Sequence, residues 1–443
     1  MSEPRTRQGK KAIATRARIL DAAAFVFRSN GYAGTRLSDV AAAAKTQAGS
    51  LYYYFSSRED LVEEVLRVGQ ERTSGYVRRR VAALPDDATS LDRLYEAIAA
   101  HLATILEIGD YTAATIRILG QVPEEIRRRR LHEQREYGQY WRVLVDNAQA
   151  TGELRGDLEG SVVRMFLLGA MNSASEWFRP RQLGLSAEQF EQQFAAIFLE
   201  GLATDDVHGQ RSLDVEIAAV NAARVTCAGF APSEPLASGA ERILDAAASV
   251  FREKGYAGTR LADVATAAEV QTGSMYHHFT SREDLVTHLL LAAWKRTDEL
   301  VRESVKALPD GVTPRDRFAT AMAAHLLSVL QAGAYTSALV RILGQVPDSV
   351  REHTAPHQRA YLDYLRQLLQ DAITAGEIRD DLDVSIVLMI LSGALNWAVE
   401  WFSADGKLSP ESLVIQFTTL VFDGLSIEGA ETKPSSRPAN ARR

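Results

Sequence analysis

Cysteine is almost missing from this 443-residue chain, and several other absences narrow what it can be. A single thiol, Cys227, excludes an internal disulfide and a thiolate metal cage. It reads as an incidental thiol between two repeats, with redox sensing as the alternative. Apolar runs are broken by charge well before the roughly 20 residues a membrane-spanning helix needs. The basic, polar N-terminus lacks the apolar core of a secretory signal, so a cytoplasmic protein is expected. No stretch alternates convincingly as a β-strand. His353 and His357 are four apart, but Pro356 separates them and no acid or cysteine cluster follows, so no metal site is expected. Neither a Gly-rich phosphate loop nor a nucleophile elbow is present, so no enzyme and no cofactor is expected. A large charge of one sign is missing too. The net charge of −7 argues against a protein coated in nucleic acid.

What is present is a duplication. Residues 18–62 and 242–286 are identical at 33 of 45 ungapped positions, 224 residues apart. The likeness continues in YTAATIRILGQVP (111–123) and YTSALVRILGQVP (335–347), and in SVVRMFLLGAMNSASEWF (161–178) and SIVLMILSGALNWAVEWF (385–402). A one-residue deletion near 403 precedes the pairing of LSAEQF with LSPESL. A repeat of roughly 200 residues is too long for a solenoid. A hydrophobic content of 46% suits a globular chain of two to four domains.

Apolar residues recur at helical spacing throughout each unit, giving about nine helices per copy and an all-α fold. Gly31 and Gly255 sit where a helix end needs positive φ. Thr35, Thr259, Ser57 and Ser281 read as helix N-caps, and Pro123, Pro347 and Pro314 as first-turn prolines. Within each head a helix near 12–29, a short helix near 36–43, a tight turn and a helix near 47–54 form a helix-turn-helix. Gln47 and Ser50 suit base edges, Ala48 a thymine methyl, and Gly49 a close approach to the DNA backbone. Tyr52 and Tyr54 suit phosphates, with Thr35 offering its hydroxyl and N–H groups beside them, and Tyr53, Arg36 and Arg58 are further DNA-contact candidates. The second head offers Thr259, Arg260, Gln271, Thr272, Gly273, Ser274, Tyr276, His277, His278 and Arg282. Phe55, Val40 and Ala41 read as core, and Tyr52 and Tyr276 as half core, half phosphate contact.

The run G-Y-A-G-T-R-L-x-D-V-A-x-A-A, then G-S-[LM]-Y-x-x-F, then S-R-E-D-L, resembles the tetracycline-repressor (TetR) family of transcriptional regulators. It occurs twice with the same internal spacing. The resemblance implies two tandem units, each a helix-turn-helix DNA-binding head on a helical ligand-binding and dimerisation bundle. The expected division is 1–62 first head with a basic arm, 63–202 first bundle and 203–239 linker. It continues with 240–286 second head, 287–426 second bundle and 427–443 disordered tail. Where the family usually has glycine in the turn, this chain has Lys45 and Glu269. The first head with its arm carries ten bases against five acids; the second carries five against six. Segment 1–11 can follow DNA or remain a solvated tail.

The resemblance also implies that 161–178 with 186–202, and 385–402 with 409–425, form a four-helix dimer interface. Gly169, Ala170, Ser173, Ala174, Gly393 and Ala394 give it small residues for close approach. Polar residues set in the apolar repeats are ligand candidates: His101, Tyr111, Arg117, Gln121, Asn172 and Trp177, with His325, Tyr335, Arg341, Gln345, Asn396 and Trp401. A buried arginine beside an aromatic wall suits an anionic, partly apolar ligand, whereas Arg117 could instead pair with Glu176. GAMNSASEWF and GALNWAVEWF are similar to segments of lipid-metabolism regulators of this family that respond to acyl-CoA thioesters, which implies an acyl-CoA-like effector. The expected function is a ligand-released repressor, a single-chain pseudo-dimer on an imperfectly palindromic operator, with a dimer of whole chains as the structural alternative. The rival is a ligand-binding or interaction protein whose second head no longer touches DNA.

Overall fold

A computed structural model of the chain describes residues 4–178, 185–200, 239–331, 333–403, 406 and 408–424. Cys227, the 427–443 tail and all but the last residue of the expected 203–239 linker lie outside the described residues. Every regular element among the described residues is helical. The first unit holds α1 (Pro4–Gly34), α2 (Leu37–Ala43), α3 (Ala48–Leu51), α4 (Arg58–Ala82), α5 (Ser90–Ile118), α6 (Glu124–Ala150), α7 (Gly160–Trp177) and α8 (Ala187–Ala195). The second holds α9 (Gly239–Gly258), α10 (Leu261–Ala267), α11 (Thr272–Met275), α12 (Arg282–Lys306), α13 (Pro314–Gln331), α14 (Gly333–Ile342), α15 (Asp348–Thr374), α16 (Val384–Trp397) and α17 (Pro410–Asp423).

Local signals set these boundaries. The Ser57 and Ser281 hydroxyls accept from the Asp60 and Asp284 amides, capping α4 and α12. Gly31 and Gly255, both at φ +68°, turn the chain at the ends of α1 and α9. The N-cap of α2 is Arg36 rather than Thr35, and that of α10 is Arg260 rather than Thr259. In each head the arginine amide bonds to the aspartate three residues on, leaving the threonine free to face inward.

Three clusters form the core. Each head buries its own: Phe27, Val40, Leu51 and Phe55 in the first, and Phe251, Val264, Met275 and Phe279 in the second. Tyr111 and Ile118 of α5 join the first, and Tyr335 and Ile342 of α14 join the second, so each head is seated on its own bundle. The third cluster runs through both bundles without a break. Its spine is α7 on α16, the most extensive helix contact among the described residues. Gly169 admits Trp397, and Gly393 admits Ser173; a Cβ on Gly169 would stand 2.5 Å from the Trp397 Cβ. Phe166, Leu167, Ile390 and Leu391 are wholly buried here, each large side chain contributing on the order of 1.5–3 kcal/mol.

The junction between units has paired polar ties. Gln193 Oε1 accepts from the Asp383 amide at 3.0 Å, and Gln416 Oε1 accepts from the Glu159 amide at 2.7 Å. Arg379 meets Glu200 at 2.8 Å and Arg155 meets Asp423 at 3.5 Å. Each tie joins one unit to the other, and each has its counterpart at the equivalent position of the other unit.

Candidate nucleic-acid interface and effector cavity

Both heads build the same reading surface. Leu51 and Met275 anchor α3 and α11 inward at 0% exposure. The alternate side turns out: Gln47, Ala48, Gly49 and Ser50 in the first head, and Gln271, Thr272, Gly273 and Ser274 in the second, are all exposed. Tyr53 is 83% exposed, Tyr52 59% and Tyr276 56%, uncommon for aromatics with no solvent-side partner. Tyr54 is half-buried and meets Tyr53 edge to face at 5.2 Å. His277 and His278 are exposed, as are Arg36 and Arg260. A Cβ on Gly49 or Gly273 would meet nothing within 4 Å, so the protein's own packing does not require glycine there. Lys45 and Glu269 take φ +50° and +55° in the turn before the recognition helix, left-handed values that cost a non-glycine residue on the order of 1 kcal/mol.

Four expected DNA contacts are otherwise engaged. Thr35 and Thr259 are buried, and their hydroxyls donate to the Gly31 and Gly255 carbonyls at 2.6 and 2.7 Å. They fasten the turn after α1 and α9 and offer no hydroxyl to phosphate. Arg58 and Arg282 lie 4.2 Å over the rings of Tyr32 and Tyr256 and donate to those residues' carbonyls. The two tyrosine hydroxyls donate to Glu59 and Glu283 at 2.6 and 2.7 Å. Burial, reinforced by those carboxylates, pushes each phenol up to about 12. These arginines stitch the first helix of the head to the fourth.

A cavity of about 930 Å³ opens in the first bundle. Its apolar wall includes Ile105, Leu119, Leu131, Met165 and Leu168, and its polar wall includes Thr73, Gln134, Arg127, Arg135 and Arg164. The second unit adds Arg252, Glu253, Arg341, Trp397 and Glu400 to its lining. At its inner end His101 is bonded on both ring nitrogens, to the Tyr137 hydroxyl at 2.9 Å and Asn172 Oδ1 at 3.1 Å. Burial lowers its pKa to about 4, so the ring is neutral. His325 repeats this with Tyr361 and Asn396, and burial again lowers it to about 4.

Of the expected ligand residues, His101, Tyr111, Asn172 and Arg341 line this cavity; Arg117, Gln121 and Trp177 do not. Arg117 is buried, ion-pairs with Glu176 and donates to the Arg28 carbonyl at 2.6 Å, clamping the head to α5 and α7. Gln121 accepts from the Tyr32 amide at 3.1 Å, and Gln345 from the Tyr256 amide at 3.3 Å. Trp177 packs on Phe190 at 5.4 Å and Trp401 on Phe166 at 5.7 Å. The Tyr111 hydroxyl donates to Asp21 and the Tyr335 hydroxyl to Asp245, each at 2.7 Å, so both tyrosines also tie bundle to head. Reading single residues misses Arg127, Arg135 and Arg164 and, in the second unit, Arg252, Glu253, Trp397 and Glu400. A position-by-position comparison of the two copies exposes Arg164, whose counterpart is Leu388.

Comparison with known proteins identifies the family. The N-terminal domain of "Bacterial regulatory proteins, tetR family" matches residues 19–65 and 243–289. "Tetracyclin repressor-like, C-terminal domain" matches 87–202 and 311–425. The chain belongs to the TetR family. It is a DNA-binding transcriptional regulator carrying the family's two domains twice. The HTH-type transcriptional repressor KstR2 of Rhodococcus jostii is 30% identical over 192 residues, which is 42% of this chain and 89% of that protein. The fatty acid metabolism regulator protein of Bacillus subtilis is 27% identical over 187 residues, 42% of this chain and 94% of that one. The structure of ketosteroid transcriptional regulator KstR2 of Mycobacterium tuberculosis aligns at 26% identity with a TM-score of 0.37, covering 42% of this chain and 91% of that one. Proteins of the TetR family bind operator DNA and small-molecule effectors. No described helix is long and apolar enough to cross a membrane.

Proposed function

We propose that the chain is a repressor that holds its operator as a single-chain pseudo-dimer and releases it when an anionic, partly apolar small molecule binds. One observation carries the reading: two outward-facing recognition segments sit on bundles that share one core within one chain. Gln47, Ala48, Ser50, Tyr52 and Tyr53 contact one half-site, and Gln271, Thr272, Ser274, Tyr276, His277 and His278 the other. Arg36 and Arg260, at the N-caps of α2 and α10, meet phosphate. The proposed division keeps the heads at 1–62 and 240–286 and the bundles at 63–202 and 287–426. The repressor assignment is supported by the KstR2 repressors, and the effector class by the Bacillus subtilis regulator of fatty acid metabolism and the arginine-bearing cavity. An acyl-CoA-like thioester has the required combination of anion and apolar chain.

The test is selection of DNA from a random pool with the full chain, followed by light scattering of the complex. The expected result is an imperfect palindrome, half-sites about one helical turn apart, bound by one chain. A perfectly symmetric site occupied by two chains overturns the single-chain reading. A site with only one readable half favours the rival in which the second head has lost DNA. The exposed Glu269 beside the recognition helix is the observation behind that rival.

A further inference from the structure

The two copies have diverged where an effector would sit. Gln70, on the α4 face beside the first cavity, becomes Trp294 in the second unit. The Trp294 indole lies 6.0 Å from the ring of Tyr361, the counterpart of cavity-lining Tyr137. Gly138 becomes Leu362, and Arg164 becomes Leu388, which is buried. Space and one of the first unit's three cavity arginines are therefore replaced by apolar bulk in the second, which keeps Arg351 and Arg359 as counterparts of Arg127 and Arg135. A second asymmetry points the same way. Arg28 of the first head pairs with Asp110 at 2.5 Å, but Ala334 stands where the second unit would need that aspartate. Arg28's counterpart, Arg252, lines the first unit's cavity instead.

We propose that the chain holds one effector site, not two: the first unit's cavity, lined in part by the second head's α9, with its counterpart in the second unit filled by Trp294, Leu362 and Leu388. This rests on the effector reading above and narrows it. The occupant is a single anionic amphiphile. Its apolar part lies against Ile105, Leu119, Met165 and Leu168, and its anion meets guanidinium groups. Five arginines face the cavity against two glutamates. Arg135 and Arg164 have no ion pair among the described residues, and the buried Arg164 Nε has no hydrogen-bond partner. Because α9 is a wall of the site, an occupant touches the second head directly, while the first head is held by Arg28–Asp110 and Arg117.

The experiment is calorimetric titration of the full chain with 8-anilino-1-naphthalenesulfonate, an apolar anion. One site per chain is expected. Exchanging the first unit's residues for the second's (Gln70→Trp with Arg164→Leu) should weaken binding at least tenfold. The exposed change Arg135→Ala should weaken it several-fold without disturbing the core. The reverse exchange, Trp294→Gln with Leu362→Gly, should raise the stoichiometry towards two. Two equivalent sites in the unaltered chain, no binding at all, or full binding by the exchanged first unit with its circular dichroism unchanged would each overturn the proposal. Operator retention is followed separately by gel shift. A complex that keeps its DNA while saturated at one site would end the ligand-release reading and leave the single site standing.

Discussion

The two heads are near copies inside and different outside. In both, tyrosine, arginine and glutamate interlock the first and fourth helices with the same partners and nearly the same spacing: 2.6 and 2.7 Å from phenol to carboxylate, 4.2 Å from each guanidinium to its ring. The divergence lies at Tyr53 against His277 and Tyr54 against His278, and in the bundle beneath each head at Asp110 against Ala334. The internal stitching has little freedom, because Tyr32 and Tyr256 are buried and a one-sided change would leave their hydroxyls unsatisfied. Outward positions answer only to what they meet, and the two units meet different things.

The largest predicted effect is one the units should share. His101 and His325 are wholly buried, and burial lowers each from 6.5 to about 4. The unfolded chain protonates them near 6.5 while the folded chain does not, so stability is intact above that pH and falls as pH drops towards 4. The loss should approach about 1.4 kcal/mol per histidine per pH unit within that window. Urea midpoints between pH 7 and 4.5 measure it. His101→Gln and His325→Gln should each remove about half of the slope, and unequal halves would break the equivalence.

The next contrast separates the copies. Gly169→Ala brings a Cβ to 2.5 Å from the Trp397 Cβ and 2.6 Å from its ring, whereas Gly393→Ala brings one to 2.5 Å from the Ser173 Cβ and onto its hydroxyl. The first should lower stability by about 1–3 kcal/mol or more, as overpacking does, because a whole indole must move, and the second by less, because only a serine must. Thermal unfolding of the two variants decides the order. At the reading surface, Gln47→Ala should relax preference at one base pair of one half-site, at a cost of about 1–3 kcal/mol. Gln271→Ala should do so in the other half-site only. Identical footprinting profiles for the two variants would show that the heads are interchangeable. The smallest effect is in the arms. Removing residues 1–11, with four bases, should flatten the salt dependence of DNA affinity by roughly 0.9 for each phosphate that the arm had neutralised. Removing SEPLASGAE before the second head, which has no base, should leave the slope unchanged.

Much of this architecture is legible in the sequence. The duplication, the helical period and the Ser57 and Ser281 caps follow from local chemistry that does not depend on distant neighbours. Thr35 misleads because a threonine before a helix looks like a cap, and only the folded turn shows its hydroxyl reaching back to Gly31. Lys45 and Glu269 cannot be read from propensity either; the surrounding helices impose positive φ on both. The cavity is hardest to see. Its arginines come from α6, α7, α9 and α14, so the site exists only after the units pack, and Arg117, the arginine that stands out in the sequence, serves the head-to-bundle clamp.

The α7–α16 contact, made within one chain, has a consequence for dosage. A repressor that must first assemble from separate subunits occupies its operator with a steep, second-order dependence on concentration and fades quickly as copy number falls. Here the halves are present at a fixed effective concentration set by the chain itself. On the proposed single-chain reading, occupancy should therefore rise hyperbolically with protein, with a Hill slope of one, and a few molecules per cell would repress in proportion to their number.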